Sequence, residues 1–263
     1  MLRHVDEAKR REALALVREG RLYDLGRVLD ETVPVFPGRY FRQTLVTTAH
    51  HANDEGLGAN RVNWITEVIA GTQQLGTHLD ALSHLQEGGL GYGGLTVEDL
   101  AGDAGVRHLG VETVPQVVTP GWLVDVPGLA PGDVIGLEHV RGIDPRPGDA
   151  VLFHTGWGAH WDDHETYLSG EPGPGVELAE WLAARGVALT GSDTWSFGPV
   201  PPEDPGRPFQ VPQHLNVHHG VFVLENLDLA ALAGDRVRRF ALIVTHARIR
   251  GATGAWTSPI ALV

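Results

Sequence analysis

Glycine and proline occur so often in this chain that they limit the folds it can adopt. The 263 residues include 34 Gly and 17 Pro. Glycine destabilises helix interiors through its backbone freedom, and proline cannot donate a helical hydrogen bond. This composition therefore favours many turns over a helical bundle. We expect short elements joined by many turns.

Apolar patterning between these breaks predicts a mixture of strands and helices. The predicted strands are short apolar runs at residues 44–49, 62–70, 122–126, 150–155, 187–190, 221–225 and 240–246. Helical periodicity occurs at residues 6–19, 96–100, 176–185 and 227–233. The first helix is expected to be exposed, with Ala13, Leu14, Leu16 and Val17 on its apolar side. The segments 170–175 and 198–208 are rich in Gly and Pro and are predicted to be long loops.

The order of these elements predicts the fold class and the domain plan. Strands and helices are mixed without the regular alternation of a doubly wound or barrel fold. We therefore predict an α/β protein, in which one compact domain of mixed β-sheets flanked by helices covers residues 22–263. Residues 1–21 are predicted to form a helical extension in front of that domain.

The side chains that are missing or scarce exclude several kinds of chemistry. The chain has no cysteine, which removes disulfides, thiolate metal ligands and cysteine nucleophiles. Its one lysine, Lys9, lies in a polar N-terminal stretch, so a phosphate-loop lysine or a Schiff-base lysine is excluded. Fourteen histidines and 33 acidic residues favour metal sites built from nitrogen and oxygen donors.

Charge and hydropathy also restrict the partners. The net charge of −13 disfavours a ligand with a phosphate backbone, and no basic run interleaved with aromatic residues offsets it. The N-terminal residues lack the apolar core of a signal peptide, and no apolar run is long enough to cross a bilayer. We expect a cytoplasmic protein that binds a small molecule and has no nucleic-acid or membrane partner.

The segment 73–84 carries the first candidate site. If His78 and Asp80 lie on a strand, their spacing of two sends both side chains to one face. Gln74 precedes His78 by four residues, and His84 follows Asp80 by four. Imidazole and carboxylate donors together suit Zn(II), Mn(II) or Fe(II). The alternative is a strand edge that carries solvated polar groups.

Two later segments are also rich in potential ligands. Residues 213–219 contain Gln213, His214 and His219, and they precede an apolar strand that ends at Glu225. A carboxylate at a strand end suits a ligand or catalytic group, but it also suits a cap for a helix starting near residue 227. The acidic and histidine-rich run 160–165 is predicted to be solvated surface.

The pattern Gly76-Thr77-His78-x-Asp80-x-x-x-His84 resembles the signature of the metal-dependent cyclase-like hydrolases, a family that includes bacterial kynurenine formamidases and isatin hydrolases. The resemblance continues through residues 23–25, 33–38, 153–157, 191–193 and 220–227. It implies a compact α/β fold of the swivelling β/β/α type, assembled as a homodimer or homotetramer. It also implies that His78, Asp80 and Glu225 bind metal and that His84 transfers protons.

Two positions depart from the formamidase pattern. Gln74 and Gln213 stand where that pattern has metal-binding histidines, and His214 lies one residue from the second position. Glutamine offers a neutral oxygen, which is a weaker donor to Zn(II) than imidazole but acceptable to Mn(II). We therefore expect one divalent ion, Mn(II) or Zn(II), with Gln74 and Gln213 as further candidate ligands.

These features predict a metal-dependent amidohydrolase that acts on a cyclic amide or an N-acyl aromatic compound. Candidate residues of an apolar substrate pocket are Phe36, Trp157, Trp195, His214 and His219, with Phe197 as a further aromatic wall. One alternative is a metal-dependent cyclase or dehydratase that stabilises an enolate. Another is a ligand-binding protein on a decayed hydrolase scaffold, which the two glutamines would suit.

Overall fold

Short strands dominate the computed structural model, which describes residues 2, 4–46 and 56–263. The strands are β1 (Leu22–Asp24), β2 (Phe41–Val46), β3 (Thr66–Gly71), β4 (His78–Asp80), β5 (Ala101–Gly102), β6 (Gly105–Val106), β7 (Val117–Asp125), β8 (Val134–Ile135), β9 (Ala150–His154), β10 (Gly173–Pro174), β11 (Leu189–Ser192), β12 (Phe222–Glu225), β13 (Arg239–Val244), β14 (Gly254–Trp256) and β15 (Ile260–Leu262).

The helices are short, as the glycine and proline content predicts. The α-helices are α1 (Glu7–Leu14), α2 (Val97–Leu100), α3 (His164–Leu168), α4 (Val176–Ala184), α5 (Gln210–Gln213) and α6 (Ala230–Gly234). A π-helix, His214–His219, follows α5 directly. Short 3₁₀ turns lie at Tyr92–Gly94, Val111–Thr113, Leu137–Val140 and Trp157–His160. Within the described ranges, no helix combines the length and apolarity needed to cross a membrane.

One curled mixed sheet organises the molecule. Nine of the described strands belong to it, in the order β1-β15-β13-β7-β9-β11-β12-β4-β14. The central strands β7, β9, β11 and β12 run parallel to one another. Antiparallel strands complete both ends, with β13, β15 and β1 beyond β7, and β4 and β14 beyond β12. The predicted α/β class with mixed sheets is confirmed.

Alternate side chains of the central strands build an apolar core on each face of this sheet. On β9, Leu152 belongs to one cluster of buried residues, whereas Val151 and Phe153 belong to another. The second cluster also contains Leu178 and Leu182, so the apolar stripe of α4 covers that face. Burying one such side chain contributes about 1.5–3 kcal/mol. Packing on both faces therefore fixes the position of the strand ends that carry the candidate site.

Most predicted elements occur close to their predicted positions, but some differ in extent. Strand β7 begins at Val117 rather than at residue 122. Pro120 and Gly121 interrupt the apolar pattern of the sequence, which made the predicted strand too short, but they do not end the strand. A Cβ atom at Gly121 would lie 2.4 Å from the Phe240 ring, so this glycine lets the ring on β13 pack against the β7 backbone. The helix predicted over residues 227–233 begins only at Ala230.

The N-terminal helix differs from the prediction in length and in its buried side. It ends at Leu14, and its buried residues are Lys9 and Ala13, whereas Leu14 itself is exposed. Lys9 Nζ lies 3.0 Å from Asp149 Oδ1, and Arg239 Nη1 donates to Asp149 Oδ2 at 2.9 Å. A buried ion pair rather than an apolar stripe thus holds α1 against β7 and β13. The division of the chain at residue 21 stays a prediction.

Strands β2 and β3 form a separate antiparallel pair outside the large sheet. They correspond to the strands predicted at 44–49 and 62–70, although residues 47–49 lie outside the described part of the chain. Leu45, Val68 and Ile69 are exposed on this pair. These three apolar side chains are therefore presented outward, whereas Phe41 at the start of β2 is buried.

A candidate metal centre

Three buried side chains converge where β4 and β12 lie side by side. His78 and Asp80 are two residues apart on β4, so both point to the same face of the sheet. Glu225 ends β12 and lies opposite His78 in the antiparallel register. His78 Nε2 is 3.2 Å from Glu225 Oε2 and 3.7 Å from Asp80 Oδ1. One potential ligand atom from each residue lies within 4.8 Å of the other two, close enough for one metal ion to bridge them.

The alternative role for Glu225, capping a following helix, is wrong. The next helix, α6, begins at Ala230 and has Leu229 as its N-terminal cap residue. Between them, Asn226 adopts a φ of +56°, and its side-chain nitrogen Nδ2 donates to the Gly76 carbonyl oxygen at 2.9 Å. The chain therefore turns away directly after β12, and the Glu225 carboxylate is left facing His78.

Hydrogen bonding leaves lone pairs directed at one another in this cluster. His78 Nδ1 lies 2.9 Å from the Gly76 carbonyl oxygen, which can only accept, so the imidazole proton sits on Nδ1. In the neutral imidazole, which is the form that binds a metal, His78 Nε2 is then an acceptor. Neither it nor Asp80 Oδ1 has a hydrogen-bond partner, although both atoms are buried. The nearby Glu225 carboxylate is also an acceptor. Buried unpaired acceptors are unfavourable, and a cation between them would satisfy all three.

The charges of the cluster also favour a cation. Burial opposes a charged imidazole, but the adjacent Glu225 and Asp80 carboxylates raise the pKa of His78 above its ordinary value. Burial, followed by repulsion from Asp80, raises the pKa of Glu225. The carboxyl groups of Asp80 and Glu225 are thus buried beside one imidazole, where little water is available to stabilise their negative charge. This donor set suits Zn(II) or Mn(II), so the residues fit a divalent metal ion.

His84 stands between this cluster and solvent. Its backbone N–H donates to the Ala81 carbonyl oxygen at 3.0 Å, which closes the turn after β4. His84 Nε2 lies 4.0 Å from Asp80 Oδ1, and 23% of the His84 side chain is exposed. From this position an imidazole can exchange protons with a molecule bound next to the cluster.

A cavity of about 120 Å³ opens onto the cluster and onto His84. Its lining consists of Phe36, Arg39, Asp80, His84, Leu85, Trp195, Ser196, Phe209, Pro212 and Glu225. The ring centroids of Phe36 and Trp195 are 5.5 Å apart in a stacked arrangement, and Phe209 meets Trp195 edge-on at 5.9 Å. These three rings form an apolar part of the cavity wall. The expected pocket residues Phe36 and Trp195 thus lie together here, whereas Phe197 is buried in the core.

Sequence reasoning misses several residues of this cavity, Phe209 among them. It also misses Glu171, which lies outside the lining but holds the backbone of two lining residues. Phe209 follows the Gly/Pro-rich loop 198–208, which is the signal that could have identified it. Glu171 is fully buried, and it accepts hydrogen bonds from the backbone N–H groups of Trp195 at 2.8 Å and Ser196 at 3.1 Å. Burial, followed by the charge of Glu225, raises the pKa of Glu171 well above its ordinary value. Its signal is a single acidic residue within the loop 170–175.

Gln74 lies next to Asp80. Gln74 Nε2 donates to Thr253 Oγ1 at 3.0 Å. A Cβ atom on Gly254 would lie 2.8 Å from Gln74 Nε2 and 3.6 Å from Asp80 Oδ1, so the missing side chain of Gly254 leaves room for both groups. Metal ligation by Gln74 stays a prediction.

The other candidates from residues 213–219 separate from the cluster. Gln213 Nε2 donates to the Gln86 carbonyl oxygen at 2.7 Å, and metal ligation by Gln213 stays a prediction. His214 and His219 do not line the cavity, because the π-helix turns both side chains towards Glu180 on α4.

Trp157 also lies outside the lining of the cavity. It is buried, and its Nε1 donates to the Tyr167 carbonyl oxygen at 3.1 Å, so its contacts are those of a core residue. The run 160–165, expected to be solvated surface, has mostly exposed or half-buried side chains.

Comparison with known proteins shows which family the chain resembles. A sequence profile of the putative cyclase family matches residues 23–199. The chain is 24% identical over 238 residues to the kynurenine formamidase of Salinibacter ruber, and the alignment covers 89% of this chain and 93% of the relative.

Two solved structures share the fold. A novel cyclase superposes with a TM-score of 0.88 at 25% identity, covering 98% of this chain and 94% of that chain. Isatin hydrolase A from Labrenzia aggregata, bound to benzyl benzoate, superposes with a TM-score of 0.68 at 22% identity, covering 92% and 93%. The resemblance and the fold inferred from the sequence are confirmed.

Proposed function

The chain belongs to the putative cyclase family, and on that premise we propose that it is a metal-dependent hydrolase of amide-type C–N bonds other than peptide bonds. The observation that carries this proposal is the buried group of His78, Asp80 and Glu225, with its unpaired acceptor atoms. Relatives named kynurenine formamidase support the choice of an amide-type bond.

His78, Asp80 and Glu225 would together hold one divalent ion, Mn(II) or Zn(II). When bound, such an ion lowers the pKa of water and polarises a substrate carbonyl group. The protein contributes a fixed imidazole orientation, because the Gly76 carbonyl oxygen holds the His78 proton on Nδ1. It also contributes a buried position in which carboxylate charges act strongly.

His84 would carry the proton between water and the leaving group. Its Nε2 accepts a proton from the water that adds to the substrate carbonyl carbon. The same nitrogen then donates that proton to the departing nitrogen as the C–N bond breaks, which yields a carboxylic acid and an amine. Asp80, 4.0 Å from His84 Nε2, stabilises the ring while it is charged.

The aromatic wall indicates the shape of the substrate. Phe36, Trp195 and Phe209 line the same cavity as the Asp80 and Glu225 carboxylates, and their rings contact one another face to face and edge-on. Flat aromatic groups pack well against such surfaces, with offset or edge-on ring contacts. We therefore propose a cyclic aromatic amide or an N-acyl aromatic amine as substrate.

The experiment is a turnover assay in oxygen-18 water with an N-formyl aromatic amine and a cyclic aromatic amide. Metal-loaded protein should release an acid that carries one solvent oxygen, and a chelator should abolish this release. An enolate-forming cyclase or dehydratase would convert its substrate without placing solvent oxygen in an acid. Bound metal without turnover of either amide would instead support a ligand-binding protein and contradict the proposal.

The assembly and location implied by the resemblance also remain proposals. We propose a homodimer or homotetramer, and the exposed apolar side chains of β2 and β3, such as Leu45 and Val68, support it. Light scattering should report a mass of two or four chains, and a monomer mass would contradict the proposal. A cytoplasmic location remains an expectation from the sequence.

A further inference from the structure

A second group of potential metal ligands lies on the surface, away from the cavity lining. Among the described residues, Glu180, His214 and His219 form the only such group besides the buried one. His214 Nε2 lies 2.8 Å from Glu180 Oε1 and 3.1 Å from His219 Nε2. His219 Nε2 lies 3.6 Å from Glu180 Oε2. Both imidazoles thus direct the same type of nitrogen at one carboxylate.

The rare backbone form of residues 214–219 is what brings the two histidines together. In an α-helix, residues five apart point about 140° away from each other. In the π-helix His214–His219, hydrogen bonds join residues five apart, so the side chains of His214 and His219 lie on the same side. π-Helical turns are uncommon and are often associated with functional sites.

The spacing of the candidate ligand atoms is compatible with the coordination sphere of zinc. Ligand atoms at 2.0–2.1 Å from a tetrahedral Zn(II) are separated by about 3.3 Å. The two imidazole nitrogens are 3.1 Å apart, and they lie 2.8 Å and 3.6 Å from different oxygens of the Glu180 carboxylate. Each separation is within about 0.5 Å of the tetrahedral value. Two imidazole nitrogens and one carboxylate oxygen are also a common zinc donor set.

We propose that Glu180, His214 and His219 form a second divalent-metal site, specific for a borderline ion such as Zn(II) and accessible from solvent. The ion would fasten α4 to the π-helix. Helix α5, directly before the π-helix, contains Pro212, which lines the cavity. Metal binding at this site would therefore stabilise the cavity wall. This site shares no ligand with the His78 centre and does not depend on the proposed hydrolase activity.

The neighbouring His218 provides a matched control. It lies on the same π-helix, and its Nε2 is 2.9 Å from Glu87 Oε2 rather than near Glu180. A substitution at His218 therefore removes a histidine from the same element without removing a proposed ligand.

The test is a Zn(II) titration of the metal-stripped full chain in competition with a chromogenic chelator. Glu180→Ala and His219→Ala, placed on separate helices, should each remove one zinc equivalent or weaken it by more than about tenfold. His218→Ala should bind as many equivalents as the wild type, with unchanged affinity. Asp80→Asn should remove a different equivalent and leave this one intact. If Glu180→Ala and His219→Ala both bind zinc as the wild type does, the second site is refuted.

Discussion

Replacing His84 by alanine tests the proposed division of labour between proton transfer and metal binding. His84 lines the cavity beside Asp80 but does not belong to the buried group of potential ligands. We therefore expect His84→Ala to lose turnover while it keeps its metal. Replacing a residue that held the metal would instead remove turnover and bound metal together.

The size of the loss follows from the position of the imidazole. A positioned general acid–base contributes about 10²–10⁴-fold to kcat, equivalent to about 2.7–5.4 kcal/mol of activation free energy. The His84 side chain is 23% exposed and its ionic contact with Asp80 spans 4.0 Å. His84 lines the cavity and belongs to none of the buried core clusters, so the free energy of unfolding should fall by about 1 kcal/mol, the typical cost of a point substitution. The loss of activity is therefore separable from a loss of structure.

The assay combines steady-state kinetics, metal analysis and urea denaturation of the same preparation. His139→Ala serves as a control, because His139 is similarly exposed, at 27%, but lies in the turn Leu137–Val140 outside the cavity lining. Added imidazole should restore part of the activity of His84→Ala, since the missing His84 ring lines the cavity and leaves room there for a free imidazole molecule. A kcat loss below tenfold, or metal lost in proportion to activity, would refute the assignment.

Three further predictions concern the cavity wall, the N-terminal helix and the metal preference. Trp195→Ala should raise KM about tenfold with little change in kcat, measured by steady-state kinetics. Lys9→Met should lower the free energy of unfolding by about 1–3 kcal/mol in urea denaturation, because buried Asp149 loses one of its cationic partners. Arg11→Met, at an exposed pair, should cost less than about 0.5 kcal/mol. Gln74→His should shift relative affinity towards Zn(II) over Mn(II), measured by competitive titration.

The sequence predicts those parts of the candidate site in which the functional residues follow the two-residue alternation of a strand or stand at the end of an apolar run. The two-residue spacing of His78 and Asp80 indicated a shared face, and the apolar run before Glu225 indicated a strand end. That these strands are neighbours is a long-range fact that spacing cannot supply. It came only from the family resemblance, which joined the two segments.

Other features depended on interactions that no local pattern records. The N-terminal helix was expected to be exposed, but it buries Lys9 and Ala13, and the ion pair between Lys9 and Asp149, far apart in the chain, lies on the buried side. The histidines of residues 214–219 suggested a place near the pocket. The π-helical backbone rotates them towards Glu180 instead, and no rule of sequence predicted that backbone form.

The most direct test of the central claim is the metal content of untagged wild-type protein compared with Asp80→Asn, together with the activity of both. Asp80 contributes one of the three converging atoms and is buried, whereas the residues of the surface site are untouched by this change. The wild type should contain one equivalent of Mn(II) or Zn(II) per chain more than Asp80→Asn. Hydrolysis should be lost in the variant and in the chelated wild type. Adding the metal back should restore hydrolysis to the wild type. Equal metal content in the two proteins, or hydrolysis that survives complete removal of metal, would contradict the account.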